Sequence, residues 1–184
     1  MERLRGVYAA LVGMTQTPEV FACGVDLVGI SNLVTFMENM PSYWLPIAPL
    51  LKDRVGDYTT EEGRAFLLER SPLTHVDKIR RPLLIGQGAN DPRVKRQESD
   101  QIVEAMQKRD IPVTYLIYRD EGHGFARPEN SVSFFAVSEA FLAEHLGGRF
   151  EPIGDDFQGS TIEVLAGTSQ VPGLSAAVAG QKGP

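Results

Sequence analysis

Two residues that could perform acid–base chemistry each follow an apolar run of the sequence. Asp91 comes after "PLLIGQGAN", and His123 lies between two glycines in "RDEGHGF", which follows "VTYLIY". A carboxylate can hold an imidazole in one tautomer and stabilise its cation, while the imidazole moves a proton to or from a reacting group. The two residues therefore suit the acid and the base of a hydrolytic triad.

The segments around these residues alternate between strand-like and helix-like patterns. Short apolar runs at residues 20–30, 81–91 and 112–122 predict strands. Residues 94–110 and 129–148 carry apolar side chains at helical spacing and predict amphipathic helices. Parallel strands need crossover connections, which are usually helices. This order therefore predicts an α/β fold, with a small parallel sheet flanked by helices.

In such a sheet, ligands bind where the carboxyl ends of the strands meet. Asp91 and His123 fall at this edge, each after a different strand. The simpler interpretation is that "GAND" is a turn that ends a strand and that His123 is a polar loop residue. Because the two residues follow successive strands in the order that a triad requires, we favour the catalytic interpretation.

Two further segments differ from this pattern. Residues 31–80, rich in aromatic residues and proline, predict a helical insertion, in which Tyr43 and Trp44 either line a substrate pocket or pack the segment. Residues 151–184 are rich in Gly, Ser, Thr and small apolar residues without a sustained period, which predicts an irregular, partly extended C-terminal tail. We therefore expect one domain over residues 1–150, followed by this tail.

The composition limits the class of protein. A chain of 184 residues, 42% hydrophobic and 23% charged, can bury one core, and its apolar runs are too short to span a bilayer. A net charge of −6 provides no basic surface for nucleic acid or an anionic membrane. With the single cysteine Cys23 and no secretory signal pattern, a cytoplasmic protein is expected. The sequence shows neither metal-ligand spacing nor a cofactor fingerprint, so no metal or cofactor is expected.

Two long motifs carry a family resemblance. The segments "SPLTHVDKIRRPLLIGQGANDPRVKRQESDQIVEAM" and "YRDEGHGFARPEN" closely resemble the C-terminal part of the catalytic domain of the prolyl oligopeptidase family, particularly its acylaminoacyl-peptidase-like branch. The resemblance implies an α/β-hydrolase fold, with Asp91 as the triad acid and His123 as the triad base. It also implies a truncated hydrolase, because a β-propeller and the first half of the sheet come earlier in the chain in that family.

The nucleophile is the point at which the sequence departs from the family pattern. Family members carry a Gly-x-Ser-Tyr-Gly-Gly elbow directly before a helix similar to "YAALVGMTQTPEVFACGVD". Alignment on Tyr8 places the elbow serine at Leu4, and only Gly6 matches. Arg5 takes the position whose backbone N–H would form half of the oxyanion hole. The resemblance therefore implies that the nucleophile is missing and that the oxyanion hole is incomplete.

Other residues could replace the serine. Ser31 directly follows the first predicted strand, at the same edge as the acid and base, although "GISNL" has no elbow signature. Ser42 and Ser71 are weaker candidates, since Ser71 precedes a proline in what looks like a helix start. Cys23 lies within an apolar strand, where a buried thiol is unreactive.

Two functions remain open from the sequence. The first is weak hydrolysis of a small ester or peptide by a carboxylesterase or peptidase mechanism, with Asp91 and His123 as acid and base. Its nucleophile would be Ser31 or a water molecule that His123 activates, and activated esters are favoured because they need less transition-state stabilisation. The second is a catalytically inactive, truncated hydrolase that acts as an oligomeric or interaction domain.

An unpaired strand edge is expected at residues 21–29, because the resemblance implies that the neighbouring strand of the family fold is missing. Backbone N–H and C=O groups at such an edge pair readily with another chain. The simplest closed arrangement is a two-fold dimer, in which the helix around residues 8–14 could be exchanged between chains. We therefore expect a homodimer or a larger homo-oligomer.

Overall fold

Three apolar runs of the sequence form the parallel part of one sheet. The computed structural model describes residues 2–181, and of residues 2–7 the backbone alone. The strands are β1 (Gly24–Leu27), β2 (Leu83–Gly88) and β3 (Val113–Tyr118). β1 pairs in parallel with β2, and β2 with β3. Every residue of β2 and β3 is buried, as is typical of parallel strands with both faces covered. The predicted α/β class is confirmed.

Helices cover this sheet and connect its strands. Within the described residues they are α1 (Glu2–Gln16), α2 (Leu33–Glu38), α3 (Ala48–Arg54), α4 (Glu61–Arg70), α5 (Arg96–Gln107), α6 (Pro128–Leu146) and α7 (Leu174–Gln181). Short 3-10 helices lie at Ser42–Ile47, Pro72–Lys78, Asp155–Phe157 and Thr168–Gln170. None of the helices in this part of the chain is long and apolar enough to cross a membrane.

The two faces of the sheet bury different side chains, because successive residues of a strand point to opposite faces. On one face, α1 packs against β1 and α5 packs against β2 and β3, and the buried cluster includes Leu11, Met14, Ile85, Ile102 and Ile117. On the other face, α6 and the C-terminal segment cover the same strands, and the cluster includes Leu84, Leu116, Phe134, Phe141 and Leu174. The two strands that lead to Asp91 and His123 are thus held from both sides.

Residues 31–80 contain α2 to α4 and two of the 3-10 helices. They surround a separate buried cluster that includes Leu33, Met37, Leu67 and Val94. Trp44 packs edge-on against Phe36, with ring centroids 6.2 Å apart, whereas Tyr43 is 57% exposed. The contacts of Trp44 favour the packing interpretation for that residue.

The C-terminal segment is more regular than its composition predicts. Within residues 151–184, for which an irregular tail is expected, β4 (Ile162–Ala166) pairs antiparallel with β3, and α7 follows it. Phe157, Ile162 and Leu174 are buried in the cluster under α6. A strand of five residues and a helix of eight are too short to produce a visible period. Tertiary packing against β3 and α6, which the local sequence does not show, organises this segment.

The sheet has the order β1-β2-β3-β4, so β1 lies at one border. Among the described residues, β1 pairs with β2 alone. Gly24 and Val28 donate their backbone N–H groups to carbonyls of the neighbouring segment that contains β2. Because backbone groups alternate in direction along a strand, the N–H groups of Val25 and Leu27 face the opposite side. The described part of the chain therefore leaves a free edge where the sequence predicts one.

Candidate active site

Asp91 and His123 form a hydrogen-bonded pair at the carboxyl edge of the sheet. The imidazole Nδ1 lies 2.8 Å from Oδ2 of the Asp91 carboxylate. The side chain of Asp91 is fully buried, and that of His123 is 10% exposed. The two residues follow β2 and β3, which are adjacent and parallel. The structure thus brings together the two residues that the sequence places after successive strands.

The turn after β2 holds the Asp91 carboxylate in one orientation. Its other oxygen, Oδ1, accepts the backbone N–H groups of Arg93 at 2.8 Å and Val94 at 3.0 Å. Hydrogen bonds to an ionised acceptor are stronger than neutral ones. Rotation of the carboxylate away from His123 would break these bonds, so the local backbone directs Oδ2 at the imidazole.

Buried hydrogen bonds of Gln87 and Ser99 hold this turn in place. Gln87, at 0% exposure in β2, donates its Nε2 to the carbonyls of Gly88 at 3.0 Å and Val94 at 3.2 Å. The hydroxyl of Ser99, in the first turn of α5, donates to Oε1 of Gln87 at 2.9 Å. Buried polar groups that are fully paired give a rigid local structure. The turn that carries Asp91 is therefore fixed to both β2 and α5.

The loop after β2 (residues 88–94, the aspartate loop) directly contacts the loop after β3 (residues 119–127, the histidine loop). The backbone N–H of Asn90 donates to the carbonyl of Glu121 at 2.9 Å. The side-chain amide of Asn90 donates to the carbonyl of Arg119 at 2.8 Å. These bonds join the two loops and fix the separation of Asp91 and His123.

Two glycines permit this geometry. A Cβ atom on Gly88 would lie 2.1 Å from the carbonyl oxygen of Gly122, which leaves no room for any other residue. Gly124 has a φ angle of +92°, which residues with a side chain rarely adopt. The chain can therefore pass over the end of β2 and bend sharply around His123.

Phe125 anchors the far side of the histidine loop. Its ring centroid lies 4.2 Å from that of Tyr118, the last residue of β3, and 5.3 Å from that of Phe134 in α6. Burial raises the pKa of the Tyr118 hydroxyl above its usual value, so this side chain stays neutral at physiological pH. Phe125 therefore packs on an uncharged aromatic surface.

Ser31 lies after β1, as predicted, but the structure does not bring it to His123. It is 0% exposed, and its hydroxyl donates to the carbonyl of Glu98 at 2.6 Å and accepts from Nε2 of Gln101 at 2.8 Å. Oε2 of Glu98 accepts the backbone N–H groups of Ser31 at 3.1 Å and Asn32 at 2.8 Å. These contacts support a structural role for Ser31, in which it attaches the loop after β1 to α5.

Among the described residues, none of the other nucleophile candidates is hydrogen-bonded to a histidine or a carboxylate. Ser71 is buried, accepts a backbone N–H of α2 and donates to a carbonyl of α4. Ser42 begins an exposed 3-10 helix. Burial raises the pKa of the half-buried Cys23 thiol, which lowers the fraction of reactive thiolate. Leu4, which aligns with the elbow serine, belongs to α1, and its side chain lies outside the described residues.

Two residues that make hydrogen bonds within the loops of the pair were not predicted from the sequence. Asn90 joins the two loops, and Glu121 bonds backbone groups at the far end of the histidine loop. Asn90 directly precedes Asp91, and Glu121 belongs to the same motif as His123. This closeness in sequence to a predicted site residue is the one feature that could have pointed to them. Their partners are carbonyls and N–H groups that become neighbours in the folded loops, and spacing along the sequence does not reveal such contacts.

Comparison with known proteins establishes the family. The model of the prolyl oligopeptidase family (Peptidase_S9) matches residues 5–149. The chain belongs to this family. The family resemblance inferred from the two motifs is therefore confirmed, and so is the assignment of the fold to the α/β-hydrolase class.

Three similar proteins show how much of a family member the chain represents. Dipeptidyl aminopeptidase BIII of Pseudoxanthomonas mexicana is 60% identical over 175 residues, which are 95% of this chain and 25% of that protein. Dipeptidyl peptidase family member 6 of Caenorhabditis elegans is 51% identical over 148 residues, 80% of this chain and 20% of that protein. A puromycin-hydrolysing peptidase of Mycobacterium tuberculosis superimposes with a TM-score of 0.67 at 33% identity, over 78% of this chain and 21% of that structure. The chain thus spans between a fifth and a quarter of the length of these relatives.

Proposed function

We propose that Asp91 and His123 act as the acid and the base of an acyl-hydrolase site that resembles the acid–base part of a serine hydrolase. The contact of 2.8 Å between Nδ1 and Oδ2 carries this proposal. With Nδ1 engaged by the carboxylate, Nε2 is the nitrogen that can accept a proton. His123 takes the proton of the nucleophile and returns it to the leaving group, while Asp91 stabilises the imidazolium.

The nucleophile that agrees best with the structure is a water molecule activated by His123. Ser31, the alternative, is fully buried and already bonded to Glu98 and Gln101. The substrate class is a peptide or an activated ester. The peptidase names of the relatives support a peptide, whereas attack by water on an activated ester is the chemically easier reaction, because such an ester has a better leaving group and needs less stabilisation of the transition state.

A second candidate function is that of an interaction domain without catalysis. Two observations favour it: the free edge of β1, and apolar side chains that α6 leaves exposed. Val132, Phe135 and Leu146 are 49%, 68% and 63% exposed. Large exposed apolar surfaces of this kind are common at protein–protein contacts.

Hydrolysis of short-chain p-nitrophenyl esters by the purified protein tests the first proposal. We expect a weak rate that falls to background in His123→Ala and by a factor on the order of 10³ or more in Asp91→Asn. His75→Ala is the matched control, since the ring of His75 bonds the carbonyl of Glu69 on the exposed surface. Full activity in His123→Ala would exclude the proposal.

A fluorophosphonate probe separates the two nucleophiles. If water attacks, no serine is labelled while the ester is still hydrolysed. Labelling of Ser31, located by peptide mass mapping, would instead establish the buried serine as the nucleophile. A folded protein without any His123-dependent hydrolysis would favour the interaction domain.

A further inference from the structure

Glu121 lies two residues before His123, and its carboxylate is enclosed by the histidine loop. The residue is 2% exposed. Oε2 accepts the backbone N–H of Ala126 at 2.8 Å, and Oε1 accepts that of Arg127 at 2.9 Å. Asn130, in α6, donates its Nδ2 to Oε1 at 2.7 Å. The carboxylate thereby links the two ends of the segment 121–127, which carries His123.

The hydrogen-bond donors of Glu121 are N–H groups of the backbone and of an amide. The nearby guanidinium of Arg127 instead bonds the Asp120 carboxylate and the carbonyl of Gly159. Backbone N–H groups at the end of the loop have fixed directions, whereas a flexible cationic side chain could follow the carboxylate as it moves. The contacts of Glu121 therefore set the shape of the loop.

The histidine loop needs such a closure because glycines flank His123 on both sides. Glycine has more conformational freedom than any other residue. Phe125 packs on Tyr118, but Gly124 lies between Phe125 and His123. The fixed position of the Phe125 ring therefore does not by itself fix the position of the imidazole. At the other end, the backbone N–H of Asn90 bonds the carbonyl of Glu121. Glu121 is thus held by its backbone and holds the far end of the loop with its side chain.

We propose that Glu121 is a positioning residue, whose carboxylate keeps His123 Nδ1 within hydrogen-bond distance of Asp91. The proposal rests on the proposed function, since the pair that Glu121 positions is the one assigned to acid–base chemistry. Removal of the carboxylate leaves the N–H groups of Ala126 and Arg127 without their acceptor. The two glycines then let the imidazole leave the Asp91 carboxylate, although both residues of the pair are intact.

Proton NMR of the Nδ1–H of His123 tests this independently of activity. An imidazole N–H held by a buried carboxylate gives a far-downfield resonance, which is expected in the wild-type protein and absent in Asp91→Asn and His123→Ala. In Glu121→Gln, we expect this resonance to be lost or broadened, while circular dichroism shows a folded protein. Glu121→Gln keeps the size of the side chain, but it replaces one acceptor oxygen with an NH₂ group.

Asp120→Asn is the matched control. Asp120 is the adjacent residue, and it bonds the side chains of Arg127, Asn130 and Thr161. We expect this variant to retain the resonance. An unchanged resonance in Glu121→Gln would overturn the positioning role and leave the proposed function intact. A wild-type protein without the resonance would overturn the pairing of Asp91 with His123, and the positioning role with it.

Amide hydrogen exchange of the wild-type protein provides a second measurement, should Glu121→Gln fail to fold. The N–H groups of Ala126 and Arg127 are expected to exchange as slowly as those of β3, because both are bonded to a buried carboxylate. Exchange as fast as in an open loop would show that the hydrogen bonds from Ala126 and Arg127 to Glu121 are not formed in solution. That result would overturn the proposal.

Discussion

The side-chain amide of Asn90 donates a hydrogen bond of 2.8 Å to the backbone carbonyl of Arg119. This contact joins the residue that precedes Asp91 to the residue that begins the histidine loop. Contacts between the two loops, in addition to the contact between the two side chains, therefore determine how Asp91 and His123 lie relative to one another.

Asn90→Ala is expected to lower the free energy of unfolding by about 1 kcal/mol, the net value of one hydrogen bond. It should also weaken the downfield resonance of His123, because the loops lose a connection. Asn39→Ala is the control, since its amide bonds a carbonyl only four residues away in α2. Urea denaturation and NMR check the result. Equal effects of both variants on the resonance would contradict the prediction.

Gly88→Ala is expected to destabilise the protein by roughly 1 to 3 kcal/mol or more, as overpacking does. The added methyl group would meet the carbonyl oxygen of Gly122, and neither backbone can move without breaking the contact between the loops. Gly180→Ala in α7 is the opposite case, because nothing lies within 4 Å of its Cβ position. We expect that variant to be neutral or stabilised by up to about 1 kcal/mol through helix propensity. Thermal unfolding distinguishes the two.

We expect the stability of the protein to depend on pH through the carboxyl group of Asp26, in β1. Burial raises the pKa of its carboxyl to about 8, and Oδ1 has no hydrogen-bond partner among the described residues. The native state thus holds the proton more tightly than the unfolded chain. Its contribution to stability is complete below the unfolded pKa of about 4 and is lost as the pH rises towards about 8. Asp26→Asn should therefore gain stability relative to wild type between about pH 5 and about pH 9.

Asp57→Asn is the control for this titration. Hydrogen bonds from the hydroxyl and the backbone N–H of Thr59 and from Lys52 lower the pKa of Asp57 to about 2. A lowered pKa stabilises the native state above the unfolded value, and this contribution is lost only as the pH falls towards about 2. Asp57→Asn should therefore differ from wild type by a constant amount over the same range. Parallel stability curves for wild type and Asp26→Asn would show that Asp26 does not titrate in this range.

The free edge of β1 predicts self-association. Light scattering should give a mass of at least twice the 20.2 kDa of one chain. Val25→Pro should convert the oligomer to a monomer, because proline lacks the N–H group that Val25 directs at the free edge. The N–H groups of Gly24 and Val28, which bond the segment that contains β2, remain in this variant. Phe135→Glu, on the exposed face of α6, should leave the mass unchanged. Dissociation by Phe135→Glu alone would place the contact on α6, and a wild-type monomer would exclude the homo-oligomer.

The sequence predicts the central features of the fold and site for a clear physical reason. β2 and β3 are buried on both faces, so their apolar runs are visible without any structure. Asp91 and His123 follow these runs, and parallel pairing then brings them to one edge. The proximity of Asp91 and His123 could thus be predicted from the sequence alone.

The surroundings of the pair depend on contacts between distant residues. Ser31 lies where the sequence predicts, but its burial results from Glu98, which is 67 residues further along the chain. The buried state of Glu121 results from the path of the histidine loop. β4 and α7 are too short for their periods to be recognised and depend on packing against β3 and α6. None of these contacts leaves a local pattern.

The strands that lead to Asp91 and His123 are the two interior strands of the sheet in the described part of the chain, with β1 and β4 as its borders. Thermal fraying of a sheet begins at its borders, where each strand has only one neighbour. Asp91 and His123 should consequently move as one rigid unit when either border opens, with their mutual distance preserved. Any motion that alters reactivity must then change the position of the nucleophile or substrate relative to this unit, and it should be sought at the borders of the sheet.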